Sequence, residues 1–238
     1  HRALFTAYRG GEQSRTPGSK SRGDRKPGKE NFLVVSLRKS FHSGRLEAGC
    51  DEAGRGCLAG PVFAAAVILP ENLEMPLLND SKKLTRKQRY QLRKEIQEQA
   101  LAYSVAWLSN AEIDHYNIFK SSIYAMHKAL DDLRMLPEFL LIDGKFFYPY
   151  REISHECVIK GDGKYLSIAA ASVLAKTYRD DFMIRIHEEY PDYQWDQNKG
   201  YPTKAHREAI QRFGPTPYHR KSFRLLPEAQ QLEIKELK

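Results

Sequence analysis

The amino-acid sequence predicts one α/β domain, and two observations lead to this prediction. Short apolar segments of strand length alternate with longer segments that have helical periodicity and helix start signals. The chain has 238 residues, 41% hydrophobic and 29% charged, which is typical of a soluble globular protein with one sizeable core. No apolar run reaches the roughly 18–20 residues that a membrane span needs, so we expect no membrane segment.

Five apolar segments are predicted strands. The first two enclose a glycine-rich turn, and the second, VFAAAVIL, is apolar throughout, as in a strand buried on both faces. Each segment has the length of an ordinary strand. The five predicted strands are residues 47–51, 62–69, 102–109, 138–144 and 155–162.

Four segments between and after the strands are predicted helices. Thr85 with Gln88, and Ser109 with Glu112, have the spacing of a capping box at a helix start. These signals predict helices that run to about Ala100 and about Leu133, and a longer helix covers about residues 166–190. An aromatic and polar loop then precedes a short helix over about residues 203–213.

The charge is distributed unevenly along the chain. Residues 1–46 hold 11 Lys and Arg against 3 Asp and Glu, whereas residues 47–238 hold 27 of each. We therefore predict a basic, disordered leader over residues 1–46, with an auxiliary nucleic-acid-binding arm as the alternative. The folded domain is expected at residues 47–225, followed by a short tail over residues 226–238.

Three cysteines, at positions 50, 57 and 157, cannot all pair with one another, and none forms a C-x-x-C motif. Unpaired cysteines are typical of a reducing compartment. We therefore expect a cytoplasmic protein.

Acidic residues follow three of the predicted strands. Asp51 and Glu52 end the first strand, Asp143 ends the fourth and Asp162 ends the fifth. Since α/β sheets bind ligands at strand ends, these side chains are expected to converge. Clustered carboxylates repel one another unless a cation lies between them, and oxygen ligands suit Mg²⁺ or Mn²⁺ better than zinc. The chemistry typical of such a site is two-metal-ion phosphoryl transfer.

Each acid also has an ordinary explanation. A single Asp at a strand end is more often a turn or capping residue, and both Asp143 and Asp162 are followed by glycine, a common turn pair. From spacing alone both interpretations stand. The adjacent acidic pair Asp51 and Glu52, in a glycine-rich turn, is the least ordinary element.

The segment CDEAGRGCLAGPV, residues 50–62, resembles the signature of the type 2 ribonucleases H, in particular bacterial ribonuclease HII. Further segments resemble blocks of the same family in the same order, and together they cover about residues 47–225. They are NDSKKLT (79–85), LLIDG (140–144), VIKGDGKYLSIAAASVLAKTYRD (158–180), NKGYPTKAH (198–206) and HRKSF (219–223).

The resemblance implies a ribonuclease H-like fold, a five-stranded mixed sheet flanked by helices, with a C-terminal helical extension. It also implies a D-E-D-D set that binds two Mg²⁺ or Mn²⁺ ions, matching Asp51, Glu52, Asp143 and Asp162. Asp180 is a rival for the fourth position. Asp162 is preferred because the fourth acid of the family matches the K-G-D block.

Substrate-binding residues are implied in the same way. The turn Gly54, Arg55, Gly56 resembles the family's ribonucleotide-reading turn, whose main-chain N–H groups would contact the 2′-OH that separates RNA from DNA. Tyr201 matches a tyrosine that packs on the sugar of the following nucleotide, where deoxyribose fits best. Without the resemblance, Tyr201 would be a half-buried loop aromatic.

Three lysines are candidates for contacts with backbone phosphates. Lys82 and Lys83 precede a predicted helix start, and Lys176 shares a helix face with Arg179. The alternative for each of these residues is a solvated surface charge.

The resemblance implies an endonuclease that hydrolyses RNA in RNA–DNA hybrids and cuts 5′ of single ribonucleotides in duplex DNA. The products would carry a 3′-OH and a 5′-phosphate, and the cut would start ribonucleotide removal. Its partners would be such nucleic acids, and we expect a monomer. One alternative is a ribonuclease HIII-like nuclease, whose motif looks more like D-E-S-G-K-G and so differs at Ala53 and Arg55. The other alternative is a non-catalytic hybrid-binding protein.

Overall fold

A computed structural model describes residues 37–78 and 84–227. Within these ranges five strands form one mixed sheet in the order β3-β2-β1-β4-β5. The central strand β1 is antiparallel to β2 and parallel to β4, β2 is antiparallel to β3, and β4 is parallel to β5. All five predicted strands are present, although the fifth ends at Val158 and not at residue 162. They are β1 (Glu47–Ala53), β2 (Val62–Ile68), β3 (Ala102–Leu108), β4 (Phe139–Asp143) and β5 (His155–Val158).

The topology brings several strand ends to one edge of the sheet. The parallel strands β1, β4 and β5 all end at this edge, which we call the strand-end edge. Cys50 of β1 pairs with Ile142 of β4, so Asp51 and Asp143 follow at matching positions on adjacent strands. Because side chains alternate along a strand and the two strands are in register, these two acids lie on the same face.

Six α-helices are present in the described ranges. They are α1 (Arg86–Gln99), α2 (Asn110–Tyr116), α3 (Ile118–Asp131), α4 (Leu166–Glu189), α5 (Trp195–Asn198) and α6 (Lys204–Phe213). Both predicted capping boxes are confirmed, since the Thr85 and Ser109 side chains accept the N–H groups of Gln88 and Glu112. None of the helices in residues 37–78 and 84–227 has the length and hydropathy to cross a membrane.

The prediction of one helix from about residue 109 to about Leu133 is wrong. Asn117 has a φ of 68°, which ends α2, and its side chain accepts the Lys120 N–H at 3.1 Å to begin α3. Asn tolerates positive φ better than most residues and is a strong N-cap. The capping signal inside this segment therefore divides it into two helices.

The two faces of the sheet are covered by different helices. Helix α3 packs on the face that carries Ala48 and Cys50, and α1 and α4 pack on the face that carries Ala65 and Val67. Helix α4 crosses β1 at Gly49, where a Cβ atom would overlap the main chain of Ser167. This close approach brings the small residues of α4 directly over the strand that holds Asp51.

The C-terminal part forms its own apolar cluster on the second half of α4. Trp195, Ile210 and Leu226 pack there against Met183 and Ile186. Residues 37–46, which the sequence analysis assigned to the leader, also contact the domain. Leu37 is buried, and the Arg38 N–H donates to the Lys164 carbonyl at 2.8 Å. Residues 1–36 of the leader and 228–238 of the tail lie outside the described residues.

Candidate active site at the strand-end edge

Asp51 is a buried carboxylate at the end of β1, 4% exposed. It accepts the Glu52 N–H at 2.7 Å and a hydrogen bond from the Ser172 hydroxyl on α4. Burial raises the pKa of Asp51, and the charges of Glu52 and Asp143 raise it further. Three of the predicted acids therefore lie within electrostatic reach of one another.

Asp143 and Asp162 are connected through the main chain. Asp143 ends β4, and its Oδ1 atom accepts the Gly161 N–H at 2.7 Å. Asp162 is the next residue and is 2% exposed. The expected strand position of Asp162 is wrong, because β5 ends at Val158 and Asp162 lies in a short 3₁₀ turn, Gly161–Gly163. That turn follows Lys160, whose left-handed backbone, with φ at 54°, redirects the chain toward Asp143.

Glu52 lies where β1 turns into the glycine-rich loop. Its Oε1 atom is 3.3 Å from an NH1 nitrogen of Arg55. Burial raises the pKa of Glu52, the Arg55 guanidinium opposes this shift, and the charge of Asp143 adds to it. The Glu52 carboxylate thus lies near the Arg55 guanidinium and near the carboxylates of Asp51 and Asp143.

The donor chemistry of these acids suits a metal ion. In residues 37–78 and 84–227, no three His, Cys, Asp or Glu side chains form a ready-made metal cage. The residues nevertheless suit a divalent cation, because their donors are carboxylate oxygens and because the charges of Glu52 and Asp143 add to the burial that raises the pKa of Asp51. A hard divalent cation prefers such oxygens and would offset that repulsion.

Asp180, the rival for the fourth acid, lies in a different setting. It is buried on α4, and its Oδ1 atom is 3.4 Å from the Lys176 Nζ atom, one helical turn away. Of the two candidates, Asp162 is the one whose neighbour Gly161 contacts Asp143. Lys176, predicted to contact phosphate, is partly exposed and lies in this ion pair.

The turn at residues 54–56 follows Glu52 directly. Arg55 and Gly56 are exposed, whereas Gly54 is buried and has a φ of 98°. Only glycine adopts this backbone easily, and a Cβ at position 54 would also overlap the Arg179 side chain. The turn is therefore fixed by its backbone and presents its outer half to solvent.

Tyr201 lies beside this turn and is 41% exposed. Its hydroxyl lies close to the sulfur of Cys57, the residue after the turn, and burial together with this neighbour raises the pKa of Tyr201. The adjacent Gly200 carbonyl accepts the Leu58 N–H at 2.8 Å. The two predicted substrate-reading elements are thus direct neighbours, although about 145 residues separate them in the sequence.

The remaining predicted phosphate contacts have different outcomes. Lys82 and Lys83 lie outside the described residues. Arg179, expected on an outward helix face with Lys176, is instead 2% exposed and donates to three main-chain carbonyls. The helical spacing could not show that the Arg179 side chain is covered by residues 59–61 and 199.

A buried histidine pair, which the sequence analysis missed, supports the Tyr201 segment. The Thr216 N–H donates to His219 Nδ1 at 2.9 Å, so the proton of neutral His219 is on Nε2. His206 Nε2 then accepts from both His219, at 3.2 Å, and the Trp195 indole, at 3.0 Å. The His206 Nδ1–H therefore donates to the Tyr201 carbonyl at 2.9 Å. Burial lowers the pKa of both histidines, to about 3 for His219.

Comparison with known proteins places this fold and site in a family. The sequence profile of the family described as Ribonuclease HII matches residues 48–226. Among curated relatives, Ribonuclease HII of Parabacteroides distasonis is 63% identical over 188 residues, which cover 79% of this chain and 94% of that relative. Ribonuclease HII of Bacteroides thetaiotaomicron is also 63% identical, over 84% of this chain and 98% of the relative.

Solved structures agree with these relatives. The crystal structure of ribonuclease H2 from Pyrococcus horikoshii matches with a TM-score of 0.67 and 25% identity, over 80% of this chain and 99% of that chain. The sheet order and flanking helices described above are thus those of a ribonuclease H-like fold. The chain belongs to the ribonuclease HII family, and it is a ribonuclease H, an endonuclease that acts on RNA–DNA hybrids.

Proposed function

We propose that the strand-end edge hydrolyses the phosphodiester bond 5′ of a single ribonucleotide in duplex DNA, leaving a 3′-OH and a 5′-phosphate. Such a cut would begin the removal of ribonucleotides from DNA. The observation that carries this proposal is the group of buried Asp51 with the partly buried Glu52 and Asp143, which lies directly beside the turn 54–56. The cluster of acidic side chains and the turn that could contact a ribose 2′-OH therefore lie side by side.

Asp51, Glu52, Asp143 and Asp162 are the residues proposed to hold two divalent ions, Mg²⁺ or Mn²⁺. The ribonuclease HII family depends on divalent metal. The ions, when bound, would supply the Lewis acidity that phosphodiester hydrolysis requires. The role of the chain is to present three of the carboxylates from the ends of β1 and β4 and the fourth, Asp162, from the turn Gly161–Gly163, with Asp143 oriented by the Gly161 N–H.

The substrate side of the proposal rests on the turn and on Tyr201. The exposed half of the turn, Arg55 and Gly56, offers main-chain N–H groups that can contact a 2′-OH. The exposed face of Tyr201 can pack on the sugar of the next nucleotide, where the absence of a 2′-OH leaves more room. Together these contacts would favour a junction at which RNA is followed by DNA.

The setting that we propose is a monomer in the cytoplasm, bound to RNA–DNA hybrids or to duplex DNA that contains ribonucleotides. The three cysteines are free thiols, which supports a reducing compartment.

A cleavage assay tests this function. Three duplexes of one sequence would be compared: DNA with a single ribonucleotide, all DNA, and an RNA–DNA hybrid, each with Mg²⁺ or Mn²⁺. We expect wild-type protein to cut the first at one position, to cut the hybrid at many positions and to leave the all-DNA duplex intact. Asp143→Asn should lose about a thousandfold or more of the rate. Asp192→Asn, at an exposed acid, is the matched control.

Other outcomes would point elsewhere. Cleavage of the hybrid alone would contradict cutting at single ribonucleotides and favour the ribonuclease HIII-like alternative. Tight binding of the substrates with no cleavage under either metal would contradict the catalytic assignment of the four acids.

A further inference from the structure

Two buried arginines lie between the turn 54–56 and the segment 199–201. Arg179 comes from α4 and is 2% exposed, and Arg220 follows α6 and is fully buried. Each guanidinium group donates three hydrogen bonds to main-chain carbonyl oxygens. Arginine in the interior is normally found where its rigid donors meet a fixed set of acceptors, so these positions are defined by the backbone around them.

Arg220 determines which way the peptide groups of the turn point. It donates to the carbonyls of Gly54 at 2.7 Å, Arg55 at 2.9 Å and Gly60 at 2.9 Å. In a trans peptide the C=O and the following N–H point in opposite directions. With the carbonyls of Gly54 and Arg55 directed inward, the N–H groups of Arg55 and Gly56 are directed outward, to the side from which a ribose would be read.

Arg179 joins this turn to the Tyr201 segment. It donates to the carbonyls of Ala59 at 3.1 Å, Pro61 at 3.1 Å and Lys199 at 2.9 Å. Its side chain also lies so close to Gly54 that a Cβ atom there would overlap it. One guanidinium therefore contacts the turn, the chain that leaves the turn, and the residue two before Tyr201.

Main-chain hydrogen bonds complete the same unit. The Leu58 N–H donates to the Gly200 carbonyl at 2.8 Å, and the Arg220 N–H donates to the Leu58 carbonyl at 2.9 Å. Tyr201 follows Gly200 directly, and its N–H donates to the Asn198 carbonyl at 2.9 Å. The turn, Arg220 and Tyr201 are thus held in a single hydrogen-bonded network.

We propose that Arg179 and Arg220 are positioning residues that hold the turn 54–56 and Tyr201 in a fixed relation, so that the two elements read adjacent nucleotides together. This inference rests on the proposed function. A single ribonucleotide in DNA offers only one position at which both elements are satisfied. A long hybrid carries a 2′-OH at every nucleotide of its RNA strand. If the turn 54–56 and Tyr201 are misaligned, the turn can therefore still contact a 2′-OH. Loss of alignment therefore lowers cleavage at a single ribonucleotide more than cleavage of a hybrid.

The test compares kcat/KM for the two substrates in Arg220→Lys and Arg179→Lys. Lysine keeps the positive charge, but its three donors share one nitrogen and lack the planar fork with which the guanidinium reaches carbonyls from three separate nitrogens. We expect the ratio of single-ribonucleotide to hybrid cleavage to fall by about tenfold or more in each variant. Arg185→Lys, at an exposed arginine of the same helix, is the matched control and should keep the wild-type ratio.

An equal loss of kcat/KM on both substrates would overturn the inference, since it would indicate that the arginines have only a general role in stability. Failure of the wild-type protein to cut the single-ribonucleotide duplex would instead contradict the proposed function.

Hydrogen exchange on the wild-type protein needs no variant. The hydrogen-bonded amides of Leu58, Tyr201 and Arg220 should open with one common rate because they belong to one unit, and independent rates would also overturn the inference.

Discussion

Asp51 is surrounded by conditions that disfavour its charge. Burial is the main cause of its raised pKa, and the nearby charges of Glu52 and Asp143 add to the effect. A carboxyl group in such a position stores unfavourable energy in the folded protein unless a cation compensates it. The stability of the protein should therefore report on the candidate site independently of catalysis.

Asp143→Asn should raise the thermal stability of the protein in a chelating buffer. The change removes one of the charges that repel Asp51, while the amide oxygen can still accept the Gly161 N–H. We expect an increase in Tm of about 2–4 °C, which corresponds to about 1 kcal/mol in a chain of this size. Melting followed by circular dichroism measures it.

Added Mg²⁺ or Mn²⁺ should then stabilise the wild-type protein more than the variant, because the ions bind only the folded carboxylates. A lower Tm for Asp143→Asn in the chelating buffer, together with equal responses to metal, would contradict this account of the acids.

His219 should make the protein less stable in mild acid. Its pKa is lowered by burial to about 3 from the usual 6.5, so between these values the unfolded chain binds a proton that the folded chain does not. The contribution of neutral His219 to the free energy of unfolding is complete above about pH 6.5 and is lost as the pH falls below this value. Wild-type Tm should therefore fall between about pH 7.5 and pH 5.5 more steeply than that of His219→Gln.

The comparison of the two slopes is needed because Asp51 has a raised pKa and acts in the opposite direction. Identical slopes for the two proteins would show that His219 does not titrate in this manner.

At the scale of elements, the two glycines of the turn should respond differently to the same change. Gly54 has positive φ and lies against Arg179, so Gly54→Ala should cost about 1–3 kcal/mol of stability. At Gly56 a Cβ meets no atom within 4 Å, so Gly56→Ala should retain the wild-type Tm. It should nevertheless slow cleavage at a single ribonucleotide, because the added methyl group projects from the exposed side of the turn.

Thermal melts and cleavage rates of the two variants, measured side by side, separate these effects. Full cleavage activity in Gly56→Ala would mean that the exposed side of the turn does not approach the substrate.

The junction between α2 and α3 allows a similar test of backbone conformation. Asn117 combines a φ of 68° with an N-cap hydrogen bond to the Lys120 N–H. Asn117→Ala loses the cap and keeps the unfavourable φ, so we expect a loss of about 1–2 kcal/mol. Asn117→Gly should lose less, because glycine adopts positive φ freely. Denaturant unfolding gives both values, and equal losses would contradict the role assigned to the backbone.

At the scale of the whole molecule, local patterns predicted the framework well. Apolar segments located the five strands to within a few residues, and capping boxes located two helix starts, because both signals depend on neighbours in sequence. Asp51, Glu52 and Asp143 could be brought together from topology alone, since parallel strands end at one edge. The family resemblance added the predicted substrate residues, and the structure places the Tyr201 segment beside the turn through the Leu58–Gly200 hydrogen bond.

The features that sequence could not predict all depend on distant contacts. The acceptors of Arg220 lie 160 to 166 residues away in the chain, so nothing local distinguishes it from a surface arginine. The same holds for Arg179, whose donors reach residues 118 and 120 positions away. Asp162 was predicted at the end of a strand over residues 155–162, but the chain turns at Lys160, and a positive φ at lysine carries no clear sequence signal.

The most direct measurement is to map, at nucleotide resolution, where the protein cuts a DNA duplex that contains one ribonucleotide. The account predicts one cut, immediately 5′ of the ribonucleotide, with a 3′-OH on one product and a 5′-phosphate on the other. It also predicts that replacing this ribonucleotide by its deoxy counterpart abolishes the cut. A cut on the 3′ side, or cleavage that persists without the 2′-OH, would contradict the reading of the ribose by the turn beside Asp51 and Glu52.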